Sequence, residues 1–327
     1  MRVKRALAFA LAAASLALAC ASSERVRETR FPTGGDYELE LARPGGERSF
    51  IVHLPPDYPT RAPLPVLFAF HGGGGNAAGF QKYAGLDAPG DARGFAVVYP
   101  NGSGRFAKRL LTWNAGDCCA YAQEHDADDV GFALAILADL ARDLPLDRTR
   151  VYATGHSNGG MMSYRLAAEA AMRIAAIVPV AGADMTVHFA PAAPVAVLHV
   201  HSVDDPRALY AGGLGPANPL SGTRIEHRAV EAGLARWRAR DGCTGPGRET
   251  DSRALDRHTA VLIDWAPCSS GYDVAHWKLA GPGHGWPGGG SILPERIVGP
   301  NTEVIEVAEE IFRFVARYAR PDAPPLR

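Results

Sequence analysis

Arg150-Val151-Tyr152-Ala153-Thr154-Gly155-His156-Ser157-Asn158-Gly159-Gly160-Met161-Met162-Ser163-Tyr164 is the stretch on which the reading of this chain turns. Its first five residues are strand formers and follow the turn-like Leu144-Pro145-Leu146-Asp147. Its last residues, continued by Arg165-Leu166-Ala167-Ala168, are good helix material. Between them, glycines two positions to either side of Ser157 permit a strained strand-to-helix turn, where side chains would collide with neighbouring backbone. Such a turn pushes the serine hydroxyl outward, which makes Ser157 the candidate nucleophile. In a chain with 36 glycines the pentapeptide alone is weak evidence, and the flanking strand and helix patterns give it its meaning.

Upstream, Tyr37 to Leu41 and Arg48 to Leu54 alternate as a hairpin around Pro44-Gly45-Gly46. Pro65 to Phe70 is an apolar run that stops at His71-Gly72-Gly73-Gly74-Gly75, and Phe95 to Tyr99 repeats the pattern before Pro100-Asn101-Gly102. Val130 to Leu144 has helical spacing, with Phe132, Ile136, Leu137 and Leu140 on one face. Beyond the serine, Ala175 to Val180 and Val195 to Val200 read as buried strands and Arg224 to Arg240 as an amphipathic helix. Ala260 to Trp265 and Val274 to Leu279 are further strands, and Glu303 to Tyr318 is a closing helix. Strands alternating with helices imply an α/β fold: a mostly parallel sheet with helices on both faces, and ligands beyond the carboxyl ends of the strands.

Composition sets the outer limits. The chain has 327 residues, 47% apolar and 21% charged, with a formal charge of -1, which describes a globular protein and gives no electrostatic footprint for nucleic acid. One catalytic domain is expected over residues 36–320. Arg2, Lys4 and Arg5 precede the uncharged run Ala6 to Ala19, so residues 1–19 read as an export signal and 20–35 as a polar tether. Leu16-Ala17-Leu18-Ala19-Cys20 resembles a lipoprotein box that would lipidate Cys20 and tether the chain to a membrane, while Ala17-Leu18-Ala19 also suits cleavage to a soluble exported protein. Four cysteines remain in an oxidising setting. Cys243 and Cys268 are placed to bridge; the adjacent Cys118 and Cys119 bridge each other, stay reduced or pair elsewhere. No spaced Cys/His pairs suggest a metal site.

A serine nucleophile needs an imidazole to take its proton and a carboxylate to orient that imidazole. His284, in Gly281-Pro282-Gly283-His284-Gly285-Trp286, follows the last strand and precedes the final helix, so it is the expected base. His156, beside the serine, is expected to point elsewhere. Asp204 and Asp205 follow the Val195 strand, the place for the acid, and the residues alone leave both open. Oxyanion donors are expected from the backbone of Asn158 and of Gly72 and Gly73. Trp113, Tyr210 and Trp286 are candidates to line an acyl pocket. Asp126, Asp128 and Asp129 lack metal-ligand spacing, and Asp128-Asp129 is expected to cap the following helix.

With those residues in place, the chain resembles the secreted esterases that group polyhydroxybutyrate depolymerases with feruloyl and acetylxylan esterases. The similar blocks run from Arg48 to Tyr318: His71 to Asn76, Tyr99 to Gly102, Trp113 to Cys119, Asp128 to Phe132, the serine turn through Tyr164, and Gly283 to Gly289. The resemblance implies the α/β-hydrolase fold and ester hydrolysis through an acyl-serine, without metal or organic cofactor. It also implies that Asp205 is the acid, because His201 to Pro206 followed by Tyr210-Ala211-Gly212-Gly213 matches the family's His-Gly-Thr-Ala-Asp-Pro and Tyr-Xaa-Gly-Gly. Ser202 and Asp204 depart from that pattern, so Asp204 keeps a claim. The ester is left open among feruloyl, acetyl and hydroxyalkanoate types. A peptidase of the same fold, or a binding protein on a degenerate hydrolase scaffold, are the competing readings.

Overall fold

The computed structural model describes residues 30–60, 63–217, 222–290 and 293–326; the expected signal, Cys20 and most of the tether lie outside them. Ten strands form one sheet in the order β1-β2-β4-β3-β5-β6-β7-β12-β11-β10. The hairpin is β1 (Gly35–Arg43) and β2 (Gly46–Leu54), with Arg43 opposite Gly46. The apolar runs become β3 (Leu64–Phe70), β4 (Ala96–Pro100), β5 (Leu146–His156), β6 (Ala176–Val180), β7 (Ala196–Ser202) and β12 (Val274–Ala280). These six pair parallel, so their carboxyl ends share one edge of the sheet. The outer pairings β1–β2, β2–β4, β12–β11 and β11–β10 are antiparallel.

Side-chain alternation on the parallel strands divides the core into two layers. On β3, Val66, Phe68 and Phe70 join Ile136 of α4 (Asp129–Leu140), Tyr164 of α5 (Asn158–Glu169) and Trp237 of α6 (Val230–Asp241). Leu67 and Ala69 face the other way, towards Phe80 of α1 (Ala77–Ala84) and Ile311 and Phe312 of α8 (Val307–Val315). Short helices α2 (Asp87–Arg93), α3 (Ala120–Glu124) and α7 (Glu295–Val298) occupy connections. Asp128 accepts from the Gly131 N–H as the cap of α4, as expected.

Three elements differ from their sequence reading. The helix expected from Arg224 starts only at Val230, because Glu226–His227 (β9) pairs with Gly213–Leu214 (β8) and Arg228 is drawn to Asp117 and the Thr186 carbonyl. The closing helix is shorter than Glu303 to Tyr318: Glu306 has extended backbone and bounds α8. β10 (Arg248–Leu255) carries no apolar pattern in the sequence, since it is an exposed edge strand without a buried face, paired to β11 (His258–Asp264). Cys243 is disulfide-bonded to Cys268 around this hairpin, a loop closure worth about 3 kcal/mol. Cys118 and Cys119 are bonded to each other and pack with Ala115, Met161 and Met185.

Candidate active site

Ser157 sits between the last residue of β5 and the first of α5, with φ 56° and ψ -120°. A non-glycine residue adopts that backbone only where its surroundings hold it there. The surroundings here are close. A Cβ at Gly159 would collide with the carbonyl oxygens of Phe70 and His71, so only glycine lets the helix start against the end of β3. The Ser157 N–H is fixed on the Val180 carbonyl at 2.8 Å, and the Ser157 carbonyl accepts the Met161 N–H at 3.0 Å.

Three loops at the carboxyl edge bring the expected side chains together. Ser157 Oγ lies 2.9 Å from His284 Nε2, and His284 Nδ1 lies 2.7 Å from Asp205 Oδ2. Asp205 is buried three residues beyond β7, while His284 follows β12 by four. Oδ1 of Asp205 accepts the N–H groups of Arg207 (2.7 Å) and Ala208 (2.9 Å). Burial alone would raise the Asp205 pKa. The attraction of His284 and the hydrogen bonds that His284 and His201 give to Oδ2 outweigh burial and hold the carboxyl well below its usual range. Asp204 faces elsewhere: its Oδ2 accepts the Gly281 N–H at 2.7 Å, bracing the start of the His284 loop. His156 makes no hydrogen bond to Ser157; its ring packs 4.9 Å from that of His284, near Tyr83.

Behind Asp205 runs a chain of buried groups that the sequence reading did not assemble. His201 Nε2 is 2.8 Å from the Ala208 carbonyl and 3.3 Å from Asp205 Oδ2, both acceptors, so this nitrogen carries the proton. Its Nδ1 then accepts from His199 Nε2 at 3.0 Å, and His199 Nδ1 accepts from the Tyr164 hydroxyl at 3.0 Å. One tautomer satisfies the whole chain with neutral rings. The signal was present in the sequence as His199 and His201, two apart on a strand and therefore on one face.

The glycine loop after β3 lies against the serine turn. A Cβ on Gly72 would stand 3.6 Å from Ser157 Cβ, and one on Gly73 would stand 3.7 Å from Asn158 Cβ. His71 sets this loop: the Gly102 N–H donates to its Nε2 (3.0 Å), so Nδ1 bears the hydrogen and donates to the Gly72 carbonyl (2.8 Å). In a trans peptide the Gly73 N–H points opposite to that carbonyl. The Asn158 side chain clamps Trp113, accepting its N–H at 2.8 Å and donating to its carbonyl at 3.1 Å.

The aromatic residues expected in a pocket are placed as walls. Trp113 is fully buried, its Nε1 donating to the His71 carbonyl, and Trp286 is buried with Nε1 on the Ala84 carbonyl. Neither exposes a ring face to an incoming substrate, because each indole N–H draws its ring inward to a backbone acceptor. Tyr210 is half-buried, bonded through its hydroxyl to Glu231 and stacked on His276. Among the described residues Asp36, His53 and Asp87 bring donor atoms within 4.8 Å of one another, a geometry able to hold a cation. They belong to β1, β2 and α2, which carry none of the serine-site side chains.

A family model described as esterase PHB depolymerase matches residues 48–215, about half of the sequence and the part that contains Ser157 and Asp205. The chain belongs to that family. It is a carboxylic ester hydrolase with the α/β-hydrolase fold. Among relatives, this esterase is 28% identical over 291 residues to NocK of Nocardia uniformis subsp. tsuyamanensis, named an esterase, covering 84% of this chain and 81% of that protein. It is 32% identical over 178 residues to feruloyl esterase C of Emericella nidulans, covering 52% of this chain and 60% of that one. The solved acetyl xylan esterase from Aspergillus awamori shares the fold, with a TM-score of 0.54 at 13% identity over 77% of this chain and 94% of that one.

The buried imidazoles of the esterase carry a cost at low pH. Burial pushes His71 from 6.5 down to about 4, His276 down to about 3, and His199 well below its ordinary value. Each stays neutral in the folded chain and takes up a proton on unfolding below pH 6.5. Stability is therefore full above pH 6.5 and falls as pH drops towards the folded values, by on the order of 2 kcal/mol per histidine between pH 7 and pH 5. Urea midpoints measured at pH 7, 6 and 5 should decline steeply, and a flat profile would show that these rings are not held neutral.

Proposed function

We propose that this protein is an exported serine esterase in which Ser157 is the nucleophile, His284 the general base and then acid, and Asp205 the group that orients His284. The observation that carries the reading is the unbroken hydrogen-bonded line from Ser157 Oγ through both nitrogens of His284 to Asp205. With Asp205 accepting from Nδ1–H, the free lone pair of His284 lies on Nε2, facing the serine hydroxyl. As Oγ attacks the ester carbonyl carbon, its proton passes to Nε2, and the carbonyl oxygen takes the negative charge. The backbone N–H groups of Asn158 and of the Gly72-Gly73 segment are the donors we assign to that oxyanion. His284 then protonates the departing alcohol, leaving an acyl-serine. Water attacks that ester by the same route in reverse, and the acid is released.

The substrate class we favour is an ester of feruloyl, acetyl or hydroxyalkanoate type, in line with relatives named feruloyl esterase and with the acetyl xylan esterase of the same fold. Methyl ferulate, acetylated xylo-oligosaccharides and hydroxybutyrate oligomers, assayed beside peptide substrates, should give turnover on at least one ester and none on peptides. Turnover confined to peptides, or no turnover with no labelling by a fluorophosphonate, would replace this reading with one of its competitors. Export rests on Arg2, Lys4 and Arg5 followed by the apolar run, and cleavage after Ala19 leaves Cys20 as the first residue, lipidated in the tethered form and unmodified in the soluble one. Mass spectrometry of the mature N-terminus decides between those forms, and an intact Met1 would exclude both.

A further inference from the structure

Between β4 and Thr112 the chain makes a small excursion over the glycine loop. It is held by bridges between Gly75 and Leu111, Ser103 and Thr112, and Phe106 and Arg109. The Gly74 N–H donates to the Leu111 carbonyl at 2.7 Å, and Asn76 Nδ2 donates to the Lys108 carbonyl at 3.0 Å, so the excursion is anchored to the segment that leads from Gly72 to α1. Lys108 and Leu110 take positive φ values of 56° and 54°. Despite these constraints the excursion leaves Phe106 54% and Leu110 49% exposed, which are large values for such residues.

Phe106, Arg109 and Leu110 line a cleft of about 460 Å³ with Gly74 and Asn76. Gly74 is two residues from Gly72, at most about 7 Å of chain, and Gly72 borders Ser157. The cleft therefore begins within reach of a substrate attached at the serine. Its charge is uneven. Lys108 is neutralised by Glu38, with Glu40 at 3.9 Å, whereas Arg109 has no carboxylate partner among the described residues. A guanidinium with its planar donors free, beside an exposed aromatic ring and a leucine, is complementary to a carboxylate carried on a short carbon skeleton.

We infer that this cleft is a subsite for the carboxylate-bearing arm of an ester substrate, with Arg109 holding the anion and Phe106 and Leu110 covering the carbon chain that joins it to the ester. The inference rests on the serine-esterase reading above and adds a substrate class to it: esters whose acyl or alcohol part ends in a free acid, such as acid-terminated oligoesters. The neutral part of the substrate occupies the space at Ser157; the charged end reports how far the arm extends past Gly74.

Matched substrates test this. On the acyl side, p-nitrophenyl hemiglutarate is compared with p-nitrophenyl valerate; on the alcohol side, 4-acetoxybenzoate is compared with p-tolyl acetate. The ratio of kcat/KM, acid over neutral, is measured for wild type, Arg109→Ala, Arg109→Lys and Arg109→Glu, with Lys108→Gln as the control for loss of a nearby positive charge. The expected result is a ratio about tenfold lower in Arg109→Ala for at least one pair. It should fall further in Arg109→Glu, recover partly in Arg109→Lys, and stay unchanged in Lys108→Gln, with the loss residing in KM. Ratios unmoved by all Arg109 changes in both pairs, in an enzyme that hydrolyses the neutral esters, would overturn the subsite and leave the esterase reading intact. An equal fall in Lys108→Gln would also overturn it, as general electrostatic attraction. If wild type hydrolyses none of the four, the esterase reading fails and the subsite with it.

Discussion

Replacing Ser157 by alanine is expected to lower ester turnover by about 10⁴-fold or more and to abolish covalent labelling by a fluorophosphonate. The size follows from what is lost. With no Oγ there is no acyl-enzyme, so water must attack without a covalent intermediate, and His284 loses the group at 2.9 Å from which it would take a proton. The oxyanion donors we assign would remain, because they are backbone groups and Ser157→Ala leaves the turn and its Val180 hydrogen bond in place. Substrate affinity should change little for the same reason. Turnover or labelling that survives in Ser157→Ala would move the nucleophile to another residue.

Asp205→Asn should cost a similar factor, about 10⁴ in kcat, and Asp204→Asn should stay within about threefold of wild type. Oδ1 of Asp205 accepts two backbone N–H groups, so in the asparagine variant the amide oxygen is pulled to that side. The NH₂ group then faces His284 Nδ1 and His201 Nε2, which are both donors in the wild-type arrangement. His284 can relieve the conflict only by moving its proton to Nε2, where it no longer accepts from Ser157. Asp204 accepts a single N–H from Gly281, and an asparagine oxygen can do the same. Rates measured for both variants with one activated ester decide the matter: equal losses would overturn the assignment of the acid.

Why the acid was ambiguous in the sequence is visible in these contacts. Adjacent aspartates after one strand differ by a single residue in their distance along the chain to every other loop, and only the turn of the backbone sends one towards His284 and the other towards Gly281. The parallel strands and the serine turn were legible because their signals are local: apolar runs ending in glycine, and a strand pattern meeting a helix pattern at Ser157. The roles of Trp113 and Trp286 were not, because an aromatic ring is equally suited to wall and pocket, and its orientation depends on distant acceptors, the carbonyls of His71 and Ala84. In the sequence His71 is only the end of a strand before glycines, although its two ring nitrogens fix the shape of that loop. β10 lacked any buried face to betray it.

That strand and its counterpart at the opposite margin, β1, have a consequence for how the molecule behaves among its own copies. β1 turns Asp36, Glu38 and Glu40 outward, while β10 carries Arg248, Glu249, Asp251 and Arg253 and has an irregular register between Glu249 and Asp251. A neighbouring chain trying to extend the sheet sideways would have to strip water from charges on either flank and match a broken ladder on one. The open sheet is thereby guarded against fibre-like growth, and the molecule should tolerate crowding at high concentration.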